Sequence, residues 1–186
     1  MPLKEAPDAK ERAQKVKIFI HDVHGAITPN VVYCDQEGNR YYEFWHMDGF
    51  GDLSLLANGI KPIFLDSTSI DGEGLYRAKE LKLENLYYNT TPEEKMDKFE
   101  QILKENGVTY EEVGYLGSDV FDLPFLKKVG FAVAPADAVD EVKEVAHLVT
   151  TVPAGRGVMR EVCEYILRAK GLWEAWVDKV TKMGYK

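Results

Sequence analysis

The sequence predicts an α/β domain built on a mostly parallel sheet with helices on both faces. Two patterns carry that prediction. Short apolar, β-branched runs recur along the chain, too short for helices, and end at polar residues as buried parallel strands do where they meet a ligand-bearing loop. Stretches of helical composition lie between them, and this alternation is what a parallel sheet requires. At 186 residues and 45% hydrophobic composition the chain can bury one core and is short for two.

In chain order, residues 1–15 are charged and lack an apolar period, so they read as a disordered tail or a loosely attached helix, with one domain over residues 16–186. The first strand is VKIFI at 16–20, followed by polar HDVHG. Two aromatic-rich runs, VVYC and RYYEFWH, flank the turn DQEGN and predict a β-hairpin over about residues 31–46. Such a hairpin packs on something, and a partner subunit is one candidate. Further strands are expected at 61–65, 85–88, 113–116, 131–133 and 147–150, with helices at 74–83, 92–106, 123–129 and 138–145. Thr91-Pro92-Glu93-Glu94 reads as N-cap, proline and first-turn acids, and Asn106-Gly107 as the matching stop. Helical stretches 156–169 and 172–180 close the chain, with Trp173 and Trp176 on one packing face.

The net charge of −8 argues against nucleic acid or an anionic membrane as partner, since both need a basic face. Two distant cysteines, Cys34 and Cys163, make neither a disulfide framework nor a CxxC metal pair. Without an apolar run of about 18 residues or a signal-peptide core, the expected location is the cytoplasm.

In an open α/β sheet the ligand site lies off the C-terminal ends of the strands, so polar residues just after apolar runs are the candidates. Four groups qualify: His21-Asp22-Val23-His24-Gly25, Asp66-Ser67-Thr68-Ser69, Lys95, and Gly117-Ser118-Asp119 with Asp122. Taken singly, Asp22 also reads as a turn cap and Ser67 as a helix cap. His21, His24 and His46 with Asp22 raise a softer-metal site, although on an extended strand end His21 points opposite to Asp22.

Together, D-V-x-G-x-[IL]-T, a hydroxyl after the second strand, a lysine and G-x-D-x-x-D resemble the four motifs of haloacid-dehalogenase-like phosphatases, over about residues 16–169. The hairpin, D-G-[FY]-G at 48–51, V-A-P-A-D-A at 133–138 and G-R-G-x-x-R-E-V at 155–162 are similar to the capless 3-deoxy-D-manno-octulosonate 8-phosphate phosphatase subfamily, which includes the phosphatase-like domain of some acylneuraminate cytidylyltransferases. The resemblance implies a three-layer Rossmann-like fold with no cap domain, a projecting hairpin and a homotetramer. It further implies hydrolysis of a small phosphorylated sugar or sugar acid through an aspartyl-phosphate. Asp22 would be the nucleophile, His24 the proton carrier, and Ser67 and Lys95 the phosphate holders. Asp22, the backbone at His24, Asp119 and Asp122 would hold Mg²⁺, while Asp48, Gly49, Thr68 and Arg156 would face the substrate. The chain departs from the family pattern at His24 and Ser118, where the family has acids, and at Met47 and Ser69, where the subfamily has arginines. With imidazole and hydroxyl at the first two positions, Mn²⁺, Co²⁺ and Zn²⁺ join Mg²⁺ as candidate ions. The same losses leave a second reading open: a catalytically silent oligomerisation, regulatory or phospho-ligand-binding subunit.

Overall fold

The computed structural model describes residues 4–66, 72–83, 86–87 and 91–183. The chain runs β1 (Lys4–Glu5), α1 (Ala9–Lys15), β2 (Ile18–His21), β3 (Tyr33–Cys34), β4 (Arg40–Tyr41), α2 (His46–Ala57), β5 (Lys61–Leu65), α3 (Glu73–Glu80), β6 (Leu86–Tyr87) and α4 (Pro92–Asn106). It continues through β7 (Val113–Leu116), a 3₁₀ turn at Val120–Asp122, α5 (Leu123–Leu126), β8 (Phe131–Ala134), α6 (Asp140–Val145), β9 (Leu148–Val149), α7 (Val158–Ala169) and α8 (Trp173–Met183). Among the described residues a seven-stranded sheet has the order β1-β9-β8-β7-β2-β5-β6, parallel except for β1. The first long strand, β2, therefore lies in the middle, with β5 on one side and β7 on the other. The chain reverses its winding there, which is where open α/β sheets hold ligands.

Side chains alternate across the sheet with the period of two that strands impose. Phe19, Phe64, Phe131 and Val133 pack with Ala9, Leu55 and Val162 on one face, while Ile18, Ile20, Ile63 and Tyr115 pack with Phe99, Ile102 and Phe125 on the other. The result is the three-layer α/β architecture that the sequence predicts. The hairpin of β3 and β4 stands apart from the main sheet. Asp35 builds its turn, accepting from the Glu37 and Asn39 amides at 3.0 and 2.8 Å and from the Tyr41 hydroxyl at 2.9 Å.

One expectation is corrected, and one element is added. Residues 4–15 are not a loose tail: β1 pairs antiparallel with β9, and Ala9 and Ala13, four apart on α1, are fully buried against α7 and the sheet. Helix α2 is an element that the sequence pattern hid, because Gly49 and Gly51 depress helix propensity and blur the apolar period. Gly51 is needed there, since a Cβ would reach the Met159 carbonyl at 2.5 Å where α2 crosses α7.

Candidate active site

Asp22 follows β2 directly, and its carboxylate is fixed at both oxygens. Oδ1 accepts from the Val23 amide at 2.7 Å, and Oδ2 accepts from Lys95 Nζ at 2.5 Å. Lys95 is delivered by the start of α4, where Thr91 and Glu94 form a reciprocal capping box and Lys95 N–H makes the first-turn bond to the Thr91 carbonyl at 3.0 Å. The ammonium is buried and lies 5.7 Å over the Phe125 ring. Burial alone pulls its pKa down, but the carboxylates of Asp22, Asp122 and Asp66 outweigh that and hold it above its ordinary value. Three carboxylates thus surround one ammonium. Such a site is a poor host for a phosphate dianion until a cation or protons offset the excess negative charge.

The 3₁₀ turn after β7 supplies the opposite wall. Asp122, expected among the metal ligands, braces this turn: Oδ1 accepts from the buried Tyr115 hydroxyl at 3.0 Å, and Oδ2 from the Ser118 and Asp119 amides at 2.8 and 3.3 Å. Burial, with Asp22 nearby, raises its pKa against the pull of Lys95. Asp119 is exposed, and its Oδ1 caps the Val120 amide at 2.6 Å. Ser118 Oγ lies against Gly25, whose φ of +69° and lack of a side chain let the Asp22 loop pass; a Cβ there would also come within 2.8 Å of Asn30 Oδ1.

Asp22, His24, Lys95, Ser118, Asp119 and Asp122 line one cleft of about 630 Å³. Val120 and Phe121 form its lip, and Phe121 is 75% exposed. His24 and Asn30 also border a second, open hollow of about 330 Å³ against the hairpin, lined by Arg40 and Tyr42. The His24 ring sits 4.8 Å from that of Tyr42.

Of the remaining expected residues, those that are described lie away from the cleft. Ser67 and Thr68 lie outside the described residues. Asp48 is 2% exposed and caps α7, accepting from the amides of Gly157, Met159 and Arg160 at 3.0, 2.7 and 3.2 Å. This position removes it from substrate contact. Gly49 packs against the Arg77 guanidinium. Arg156 makes a bidentate pair with Glu43 at 2.6 and 3.2 Å and borders a different hollow of about 680 Å³. His46 starts α2 at the surface and His21 is buried on the far side of the strand end, so the histidines are not gathered around Asp22.

Sequence reasoning passed over one buried pair beside the site. His21 Nε2 lies 3.2 Å from Asp52 Oδ1, with both side chains all but fully buried. Burial lowers the imidazole pKa, but Asp52 overrides it and the net direction is upward. No local signal marks this pair, because 31 residues separate its members.

The comparisons with known proteins agree with this topology. Residues 84–162 match the family model of haloacid dehalogenase-like hydrolases. Over 169 residues the chain is 32% identical to the 3-deoxy-D-manno-octulosonate 8-phosphate phosphatase of Yersinia pestis, covering 89% of this chain and 87% of the relative. The chain belongs to the haloacid dehalogenase-like hydrolase family. Within that family it is similar to the octulosonate 8-phosphate phosphatases. The solved structure of a probable yrbi family phosphatase from Pseudomonas syringae superimposes with a TM-score of 0.88 at 33% identity, covering 97% of this chain and all of that one (100%). The Moraxella catarrhalis 3-deoxy-D-manno-octulosonate 8-phosphate phosphatase, solved with magnesium, phosphate and KDO, gives a TM-score of 0.86 at 26% identity over 92% of this chain and 97% of that one. Each is described as a phosphatase, none as a silent partner.

The donor set limits how this chain can hold a metal ion. Among the described residues no three His, Cys, Asp or Glu side chains are gathered for a metal ion. The cleft still offers the carboxylates of Asp22 and Asp119 and the backbone at His24. Mg²⁺ can use such oxygen donors, because it commonly keeps several waters and completes its shell with substrate phosphate.

Proposed function

We propose that this haloacid dehalogenase-like hydrolase is a divalent-metal-dependent phosphatase acting on a small phosphorylated sugar or sugar acid. One observation carries the reading: the Asp22 carboxylate, at the C-terminal end of the central strand, opens into the cleft with the Lys95 ammonium against it. The substrate class rests on the similarity to the octulosonate 8-phosphate phosphatases.

Asp22 attacks phosphorus in line, a P–O bond forms, and the P–O bond to the sugar breaks with its electron pair on the leaving oxygen. His24 gives that oxygen a proton, then takes one from the water that attacks the aspartyl-phosphate and releases inorganic phosphate and the free Asp22. Lys95 and Ser67 hold the non-reacting phosphoryl oxygens. Asp22, the His24 backbone and Asp119 hold the ion, which supplies charge stabilisation to the phosphoryl group. Mg²⁺ is the first candidate for these oxygen donors, with Mn²⁺, Co²⁺ or Zn²⁺ as further ions.

The exposed Val31, Val32, Tyr33 and Tyr41 of the hairpin support a homo-oligomer, a tetramer by family resemblance. Among the described residues no helix is long and apolar enough to cross a membrane. Cytoplasmic location is part of the proposal.

The test is turnover of p-nitrophenyl phosphate and a sugar-phosphate panel that includes 3-deoxy-D-manno-octulosonate 8-phosphate, with each ion and with chelator. Asp22→Asn should lose turnover and keep its melting temperature. Turnover that survives this substitution, or absent turnover with every ion, overturns the reading.

A further inference from the structure

We infer that His21 is a positioning residue for Asp22, tying down the peptide group that carries the nucleophile through a buried contact with Asp52 on α2. The inference rests on the role proposed for Asp22.

His21 Nδ1 lies 2.8 Å from the Asp22 carbonyl oxygen. A carbonyl only accepts, so Nδ1 bears the hydrogen and Nε2 is the atom that meets Asp52 Oδ1 at 3.2 Å. The ring is wedged against Phe64, with centroids 4.5 Å apart, and cannot swing to solvent. The other end of the same Asp22–Val23 peptide is held too, because the Val23 amide donates to Asp22 Oδ1 at 2.7 Å. One peptide plane is therefore fastened at its C=O by the imidazole and at its N–H by the carboxylate that it must aim. With Oδ1 so occupied, Oδ2 is presented to Lys95 and the cleft.

Core stability alone gives no reason for such a pair. A charged or strongly polar couple buried under a sheet is commonly matched or bettered by well-packed hydrophobic residues, and here Asp52 Oδ2 has no hydrogen-bond partner among the described residues. His21 also faces away from the cleft, on the opposite side of the strand end from Asp22, so it acts through the peptide and not on substrate. Asp52 sits one turn beyond Asp48, the cap of α7. Helix α2 thus carries two buried carboxylates, one fastening α7 and the other orienting the ring behind the nucleophile.

The test compares wild type with Asp52→Asn and with the double variant His21→Leu plus Asp52→Leu. It reads kcat and KM on p-nitrophenyl phosphate with Mg²⁺, affinity for inorganic phosphate, and the His21 ring N–H proton by NMR. The leucine pair is expected to keep KM and phosphate affinity while kcat falls roughly 10- to 100-fold, the scale of a misplaced reacting group. Asp52→Asn, whose amide can donate to Nε2 of a neutral ring that still holds the Asp22 carbonyl, should stay near wild type. Unchanged kcat in the leucine pair, or a parallel change of kcat and KM explained by lost stability, overturns the inference. If the leucine pair does not fold, the ring proton decides: a slowly exchanging Nδ1–H in wild type and Asp52→Asn supports the tie, and a rapidly exchanging one overturns it. Wild-type protein with no turnover sinks the phosphatase reading by itself, while the ring proton still tests the tie.

Discussion

Replacing Asp48 by asparagine should change how stability depends on pH and leave substrate affinity alone. Burial pushes the Asp48 carboxyl from its ordinary 3.8 up to about 6, against three backbone amides that favour the charged form, with Asp52 adding to the rise. Because the folded value lies above the unfolded one, the fold binds this proton more tightly than the open chain does. The group's stabilisation is complete below pH 3.8 and fades as pH rises through about 6. At about 1.4 kcal/mol for each pH unit, the gap between 3.8 and about 6 corresponds to about 3 kcal/mol at most. Asparagine keeps an oxygen for the α7 amides and has no proton to lose. The variant's stability relative to wild type should therefore climb by up to about 3 kcal/mol between pH 4 and pH 7, or roughly 6–12 °C in the difference of melting temperatures for a chain of this size. Thermal unfolding of both proteins in matched buffers across that range reads it directly, since acid effects elsewhere cancel in the difference. A difference that stays flat with pH refutes the burial argument. Raised KM with unchanged melting temperature returns Asp48 to the substrate side.

Two further outcomes follow from the cleft. Ser118→Asp adds the carboxylate that the ion lacks, so the concentration of Mg²⁺ giving half-maximal turnover should fall at least about tenfold; a titration that does not shift, or shifts upward, refutes the donor set. Lys95→Met removes the ammonium on which Asp22, Asp122 and Asp66 act. It should cut kcat/KM by about 10²–10³, with Asp122 driven further toward its protonated form. Weaker inhibition by phosphate is the accompanying readout, and unchanged inhibition would move the phosphate elsewhere.

The parts of this architecture that are legible in the sequence are those set by near neighbours. VKIFI and KPIFL announce buried strands because both faces of a parallel strand are covered, and Thr91 to Glu94 announces α4 because its cap closes within four residues. Helix α2 was illegible because its two glycines are selected by contact with α7 and α3, not by helix propensity. The Asp22–Lys95 pair spans 73 residues and was reached only through family motifs. Asp122 reads as a ligand in the motif and as a brace in space, because Tyr115 behind it is a strand residue that looks merely apolar. Asp48 and Asp52 are acids in a helix; nothing near them in sequence says that their partners are the amides of α7 and a strand histidine.

The antiparallel strand β1 bears on handling the protein. It occupies the outer edge of β9, where Leu148 and Val149 would otherwise present open ladder groups beside an apolar surface. An N-terminal fusion or trimming that displaces Lys4 and Glu5 uncovers a docking rail for any extended chain. Association of this kind grows with storage and concentration, and would be mistaken in a sizing column for assembly through the hairpin.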